Sequence, residues 1–146
     1  MVALTIPSDY AYVLGVATLN VLHIFSLGIK TGGARKAAKV EYPYAYAEKA
    51  EAEKDPKKNV FNCCQRAHQN SLELFPLFST LLLIGGLNHP QISAGAGVVF
   101  ILGRYIYCSN YSTGDPSKRT RGLFFMLGMI TLLGTSISTI YNLVKA

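Results

Sequence analysis

Arg66, Asn70 and Glu73 recur at i, i+4 and i+7 in the stretch Phe61-Asn-Cys-Cys-Gln-Arg-Ala-His-Gln-Asn-Ser-Leu-Glu-Leu-Phe-Pro76. On a helix this spacing places all three on one face. Arginine can hold a carboxylate through two parallel N–H bonds, glutamate can hold an ammonium group, and asparagine can bond a peptide amide. A second ladder, Arg104, Tyr107 and Tyr111, follows at i, i+3 and i+7. Together the two ladders supply cations, one carboxylate, one amide and two phenols. That inventory suits a polar ligand carrying carboxylates and an amine. The same spacing also fits an internal network that joins helices, with Arg66 and Glu73 as a structural ion pair. Spacing alone leaves both readings open.

The elements that must carry these residues are apolar. Half of the 146 residues are hydrophobic and 15% are charged. The charges cluster, leaving Tyr10–Ile29, Leu74–Gly103 and Gly122–Val144 with none. About 20 apolar residues cross a hydrocarbon core as a helix. The first and third windows each fit one span. The middle window is too long for one and is broken at Asn88-His89-Pro90-Gln91, a polar turn signal. The expectation is an all-α, integral membrane four-helix bundle, one domain over residues 1–146, with spans at about 8–30, 66–87, 92–112 and 121–144. The first segment lacks a basic n-region and its apolar run exceeds a usual signal-peptide core, so it reads as a span. A soluble bundle would show a polar stripe on each helix, whereas Leu123–Leu133 is apolar nearly all round.

Basic residues set the orientation. Of the 14 Lys and Arg, nine fall between Lys30 and Arg66, and Lys118, Arg119 and Arg121 fall in the third loop. Loops one and three of a four-span protein share a side, which is then cytosolic, and both termini lie opposite. The net charge of +6 is therefore a matter of topology and attraction to anionic headgroups, with no nucleic-acid partner. The second span descends from this side and the third ascends to it, so the two polar ladders meet at one membrane boundary. Arg35 and Lys36 end the first span there. The charged run Glu48–Lys58 reads as a solvated loop or a short surface helix without chemistry.

Other chemistry is thin. Adjacent Cys63 and Cys64, with a distant Cys108, lack zinc-site spacing, and His23, His68 and His89 are scattered, so no metal site is expected. No glycine-rich phosphate loop is present. Gly85-Gly86 and Gly95, Gly97 and Gly103 read as close helix packing.

Several motifs in chain order resemble the MAPEG family, the membrane-associated proteins in eicosanoid and glutathione metabolism, and within it the type-three microsomal glutathione S-transferase branch. They are Ala34-Arg-Lys36, Lys39-Val-Glu-Tyr-Pro43, Phe61-Asn-Cys63, Gln65-Arg-Ala-His-Gln-Asn70, Glu73, Pro76, His89-Pro90, Gly103-Arg104, Tyr107 and Tyr111-Ser-Thr-Gly-Asp-Pro-Ser-Lys-Arg119. The resemblance implies a homotrimer with glutathione, the co-substrate, bound between subunits near the cytosolic surface. It assigns Arg66, Asn70 and Glu73 to glutathione, with Tyr107 and Tyr111 as partners from the third span, Arg35 as an anchor on the first, and His68 at a place where a related branch has glutamine.

Arg119 resembles the thiol-activating arginine of the leukotriene C synthase branch. The loop before it is one residue longer here, which leaves Lys118 and Arg121 as neighbouring alternatives. That branch has tyrosine after the glutamate; Leu74 stands there instead, so one contact is missing or Phe75 replaces it by packing. The implied activity is that of a glutathione transferase with glutathione-dependent peroxidase activity. It would act on lipophilic electrophiles or lipid hydroperoxides from the bilayer of the endoplasmic reticulum, nuclear envelope or outer mitochondrial membrane. The competing reading is a non-catalytic lipid-binding scaffold, as in the five-lipoxygenase-activating protein branch. A small transporter is disfavoured by the lack of an inverted repeat.

Overall fold

The computed structural model describes residues 6–145; the outermost residues of the expected 1–146 domain, 1–5 and 146, lie outside them. Its elements are α1 (Tyr10–Ala38), the short α2 (Lys49–Ala52), α3 (Pro56–Asn88), α4 (Pro90–Tyr111), a 3-10 turn (Pro116–Gly122) and α5 (Phe125–Lys145). Helices α1, α3, α4 and α5 are each long and apolar enough to cross a membrane.

The helix ends follow local chemistry. Helix α1 continues to Ala38, past its charge-free window, because Ala34-Arg-Lys-Ala-Ala38 are good helix formers. It stops where Lys39 adopts the left-handed conformation at φ 54°, and the Val40 N–H closes the end on the Arg35 carbonyl at 3.3 Å. Helix α3 starts ten residues before Arg66, since Pro56 sits in its first turn and the Asp55 carboxylate accepts from the Lys57 N–H at 2.8 Å. Arg66 is thus an interior helical residue with its face already defined. The break between α3 and α4 falls at His89, before Pro90. The charged run forms α2, four residues long. After α4 the chain does not enter a helix at residue 121; Asp115 caps the 3-10 turn, and α5 begins at Phe125.

Helices α3 and α4 pack against each other and against both α1 and α5. The core runs through Val13, Val16, Phe78, Leu82, Phe100 and Leu132. The Phe78 and Phe100 rings stack at 4.1 Å, and Phe125 meets Phe100 edge-on at 5.7 Å. Glycine makes the close approaches possible. A Cβ on Gly86 would meet Val13 at 2.7 Å, one on Gly97 would meet Val16 at 2.6 Å, and one on Gly103 would meet the Phe125 backbone nitrogen at 2.6 Å. Gly85 abuts Thr135 in the same way, whereas Gly95 faces open space.

Hydroxyls bind across the helices: Ser136 Oγ donates to the Leu81 carbonyl at 2.8 Å and Tyr10 Oη to the Leu83 carbonyl at 3.0 Å. Phe25, Ile29, Leu127, Ile130 and Ile137 are exposed. Polar groups inside and apolar groups outside are the arrangement a helical bundle takes in lipid.

Candidate functional site

The three polar residues of α3 form a closed ladder. Arg66 Nη1 donates to Glu73 Oε1 at 2.8 Å, and Asn70 Nδ2 donates to Glu73 Oε2 at 3.2 Å. Both ion-pair side chains are nearly half exposed, 43% and 45%. The ladder therefore lies on an outer flank of the subunit and not in its core. An ion pair this open to solvent adds little to stability. A ligand carrying its own carboxylate and ammonium can take over both partners at little cost.

The α4 ladder divides. Arg104, 2% exposed, is fully inside the bundle. Tyr107 is buried against it, with the guanidinium 4.3 Å from the ring centre. Tyr111 is half-buried at the helix end and stands edge-on to Tyr107 at 5.9 Å. The Arg119 guanidinium lies over the Tyr111 ring at 5.7 Å. Arg66, Arg119 and Cys63 all lie within electrostatic reach of the Tyr111 phenol. Tyr111 is thus where the α3 flank and the 3-10 turn adjoin, and Arg119 is exposed beside it.

Local bonds set the turn that carries Arg119. Gly114 takes φ 90°, a left-handed conformation that favours glycine, and its carbonyl accepts from Asn59 Nδ2 at 2.8 Å. Asp115 accepts from the Ser117 hydroxyl at 2.6 Å and the Ser117 N–H at 3.0 Å. These bonds, the hydroxyl's first, hold the Asp115 carboxyl below its usual range. Arg119 Nη1 donates to the Pro116 carbonyl at 2.6 Å. Of the neighbouring cations, Lys118 pairs with Asp115 at 3.6 Å and Arg121 Nη1 donates to Asn110 Oδ1 at 3.2 Å.

Two expected site residues stand apart from this group within the subunit. Arg35 Nη1 donates to the Tyr44 carbonyl at 2.7 Å, and its guanidinium lies over the Tyr42 and Phe61 rings at 4.5 and 4.7 Å. It ties the loop after α1 back onto the helix. His68 points toward Gly28 of α1, about half a helical turn from Arg66. Phe75 also turns to α1, beside Val21 and Ile24.

Sequence reasoning did not assign roles to Asn59, Asn62 and Ser71. Asn62 brackets Ala47, accepting from its N–H at 2.8 Å and donating to its carbonyl at 3.0 Å. Ser71 accepts from Arg104 Nη2 at 2.8 Å. A buried arginine one helix away was the available signal for Ser71, since a guanidinium in lipid requires an acceptor.

Cys63, Cys64 and Cys108 are free and buried. Among the described residues, no three His, Cys, Asp or Glu side chains converge as metal ligands would. An apolar groove of about 420 Å³ runs between α1 and α4, lined by Tyr12, Gly15, Leu19, Ala94 and Val98 among others.

Residues 13–141 match the model of the MAPEG family. Over 69 residues the chain is 38% identical to microsomal glutathione S-transferase 2 of Mus musculus, and to the same extent to that of Homo sapiens. The aligned stretch is 47% of this chain and 46% of each relative, so the chain spans about half the length of the curated relatives it matches. Both relatives carry the type-two name, where the sequence motifs resembled the type-three branch.

Proposed function

The chain belongs to the MAPEG family, and from that premise we propose that it is a membrane-bound glutathione transferase with glutathione-dependent peroxidase activity. The observation that carries this reading is the outward Arg66–Asn70–Glu73 ladder beside Tyr111 and Arg119. In this reading Arg66 takes a glutathione carboxylate, Glu73 its ammonium group and Asn70 a peptide amide. Tyr111 lines the same boundary. A neighbouring subunit of a homotrimer covers the flank and completes the site. In this reading Arg35 and His68 reach glutathione from another subunit's side of that interface.

Arg119 is the group proposed to act on sulfur. A thiol of this type titrates near 8.5, so little is thiolate at pH 7. A guanidinium about 4 Å away contributes on the order of 4 kcal/mol at an effective dielectric near 20. Desolvation opposes this, and a net gain of about 2 kcal/mol lowers the thiol pKa by roughly 1.5 units. Arginine suits the task because it keeps its own proton. The thiolate then forms a C–S bond to a lipophilic electrophile as the leaving group departs or an epoxide opens. Alternatively it attacks the terminal oxygen of a lipid hydroperoxide; the S–O bond forms as the O–O bond breaks, the alkoxide leaves and takes a proton from water to become the alcohol, and the thiol of a second glutathione attacks the resulting sulfenic acid, giving the disulfide and water.

The second substrate enters from the bilayer, with the endoplasmic reticulum as the proposed location. The apolar groove between α1 and α4 favours a second reading, a lipid-binding scaffold without catalysis. Thiol consumption by purified protein in detergent, with an aryl halide and with an organic hydroperoxide, separates the two. Consumption above the protein-free rate is expected. An inert protein that still binds lipid is the result that replaces the enzyme reading with the scaffold.

A further inference from the structure

We infer that Arg104 is a positioning residue for Arg119, holding from inside the bundle the Tyr107 ring that stands edge-on to Tyr111, over which the Arg119 guanidinium lies. The inference builds on the reading of Arg119 as the thiolate-stabilising group.

Arg104 is the largest fully buried side chain. Nη2 donates to Ser71 Oγ at 2.8 Å and to Cys108 Sγ at 3.7 Å, while Nε and Nη1 have no acceptor. None of the ion pairs among the described residues includes it. An unpaired buried cation is costly, and an apolar side chain of the same volume fills such a space more cheaply. Packing alone is therefore a poor reason for arginine here.

The guanidinium does have two aromatic faces, Tyr107 at 4.3 Å and Phe125 at 5.0 Å. A desolvated cation over a ring orients that ring strongly. Phe125 closes the segment that carries Arg119, and Tyr107 lies on α4 one helical turn before its start. On one side Tyr107 meets Tyr111 edge-on, and Tyr111 underlies Arg119. On the other, Phe125 is the first residue of α5 and meets Tyr107 edge-on at 6.2 Å.

The backbone contacts run the same way. Gly103, adjacent to Arg104, lies against the Phe125 backbone, and Gly122 lies against the Gly103 carbonyl and the Tyr107 backbone. Arg104 thus holds the Phe125 end of the segment from Tyr111 to Phe125 directly and the Tyr111 end through Tyr107. It does not face the Arg66 flank, so it acts through other residues and does not touch substrate.

The test uses the intact protein in detergent with Arg104→Met, which keeps volume without charge, and Arg104→Lys, which keeps charge without the planar stack. Hydrogen exchange is read first, because it does not require activity. Exchange over residues 111–125 should accelerate several-fold in Arg104→Met and less in Arg104→Lys, with α1 and α3 at wild-type rates. Kinetics are read second. In Arg104→Met, kcat should fall about tenfold with KM for glutathione within about twofold, and the bound-thiol pKa should rise, with partial rescue by lysine. In an Arg119→Ala background the same substitution should cost nothing further.

Unchanged exchange over 111–125, or an equal kinetic loss in both backgrounds, overturns the inference. If Arg104→Met does not fold, Arg104→Lys carries the same tests. A wild type that consumes no thiol, with exchange accelerated in the variants, removes the enzyme reading and leaves the positioning contact intact. An active wild type with unchanged exchange does the reverse.

Discussion

At the scale of single residues, the site is built from contacts that a ligand can replace. Arg66 and Glu73 hold each other across two helical turns on an exposed flank. Arg66→Ala and Glu73→Gln are therefore expected to weaken glutathione binding, read by calorimetry, by more than they reduce the yield of assembled protein in detergent. Normal binding by a protein that falls apart would make the pair structural.

Arg119 is a different case, because its partner is charged sulfur and not the whole ligand. Arg119→Ala should reduce turnover by about 10- to 100-fold, corresponding to about 1.5–3 kcal/mol. Affinity for an analogue lacking the sulfur should change little. The bound thiolate's ultraviolet absorbance should appear at higher pH, since a nearby cation no longer favours the ionised form, and Arg119→Lys should restore part of the effect. An unaltered thiol pKa in Arg119→Ala would pass the role to Arg121 or Lys118. In the structure both neighbours are already engaged, with Asn110 and Asp115.

At the scale of elements, the 3-10 turn and its seat on α4 decide where Arg119 stands. The Asp115 carboxyl is held below its usual range by Ser117. A folded-state pKa below the unfolded value means that this cap is fully present above the ordinary carboxylate pKa of about 3.9. It is lost as pH falls through the lower, folded value. Exchange of the Ser117 N–H should therefore be protected at neutral pH, lose protection in that acid window, and be fast at every pH in Asp115→Ala. Protection independent of pH would show that the carboxylate does not hold the turn.

Gly103 tests the seat itself. Its absent Cβ leaves room for the Phe125 backbone, which has no flexible end to move aside. Gly103→Ala should destabilise the protein by about 1–3 kcal/mol in thermal or denaturant unfolding. Gly95→Ala, where nothing lies within 4 Å, should not destabilise and should gain up to about 1 kcal/mol, since alanine is the better helix former. Equal effects at the two glycines would mean the α4–α5 junction is not tight.

At the scale of the whole molecule, the distribution of charge orients the bundle. Twelve of the 14 basic residues fall in the segments before α3 enters the apolar zone and between α4 and α5, on the expected cytosolic side. A cysteine introduced near Lys57 should be labelled by an impermeant reagent in sealed microsomes. Labelling only after permeabilisation would invert the topology. The same face carries the Arg66 flank, Tyr111 and Arg119. A water-soluble thiol and a lipid substrate would then meet at that boundary.

Much of this was legible in the residues alone. Charge-free windows and the Asn88-His89-Pro90 break determine four apolar helices, because only a helix satisfies its backbone over such lengths in lipid. The i, i+4, i+7 spacing determines that Arg66, Asn70 and Glu73 share a face, because helical periodicity is local. The side each α4 residue turns to was decided only by the tertiary structure. Arg104 and Tyr107 point inward and Tyr111 lies at the rim, although the three read as one continuous face. Arg35 is taken up by the carbonyl of Tyr44 and the rings of Tyr42 and Phe61, and His68 packs toward α1. In a water-soluble bundle an apolar stripe announces the buried side. In a membrane bundle lipid and core are both apolar, so inward and outward faces look alike in the sequence. The packing partner chooses between them, and for Arg104 that partner, Ser71, lies 33 residues away on another helix.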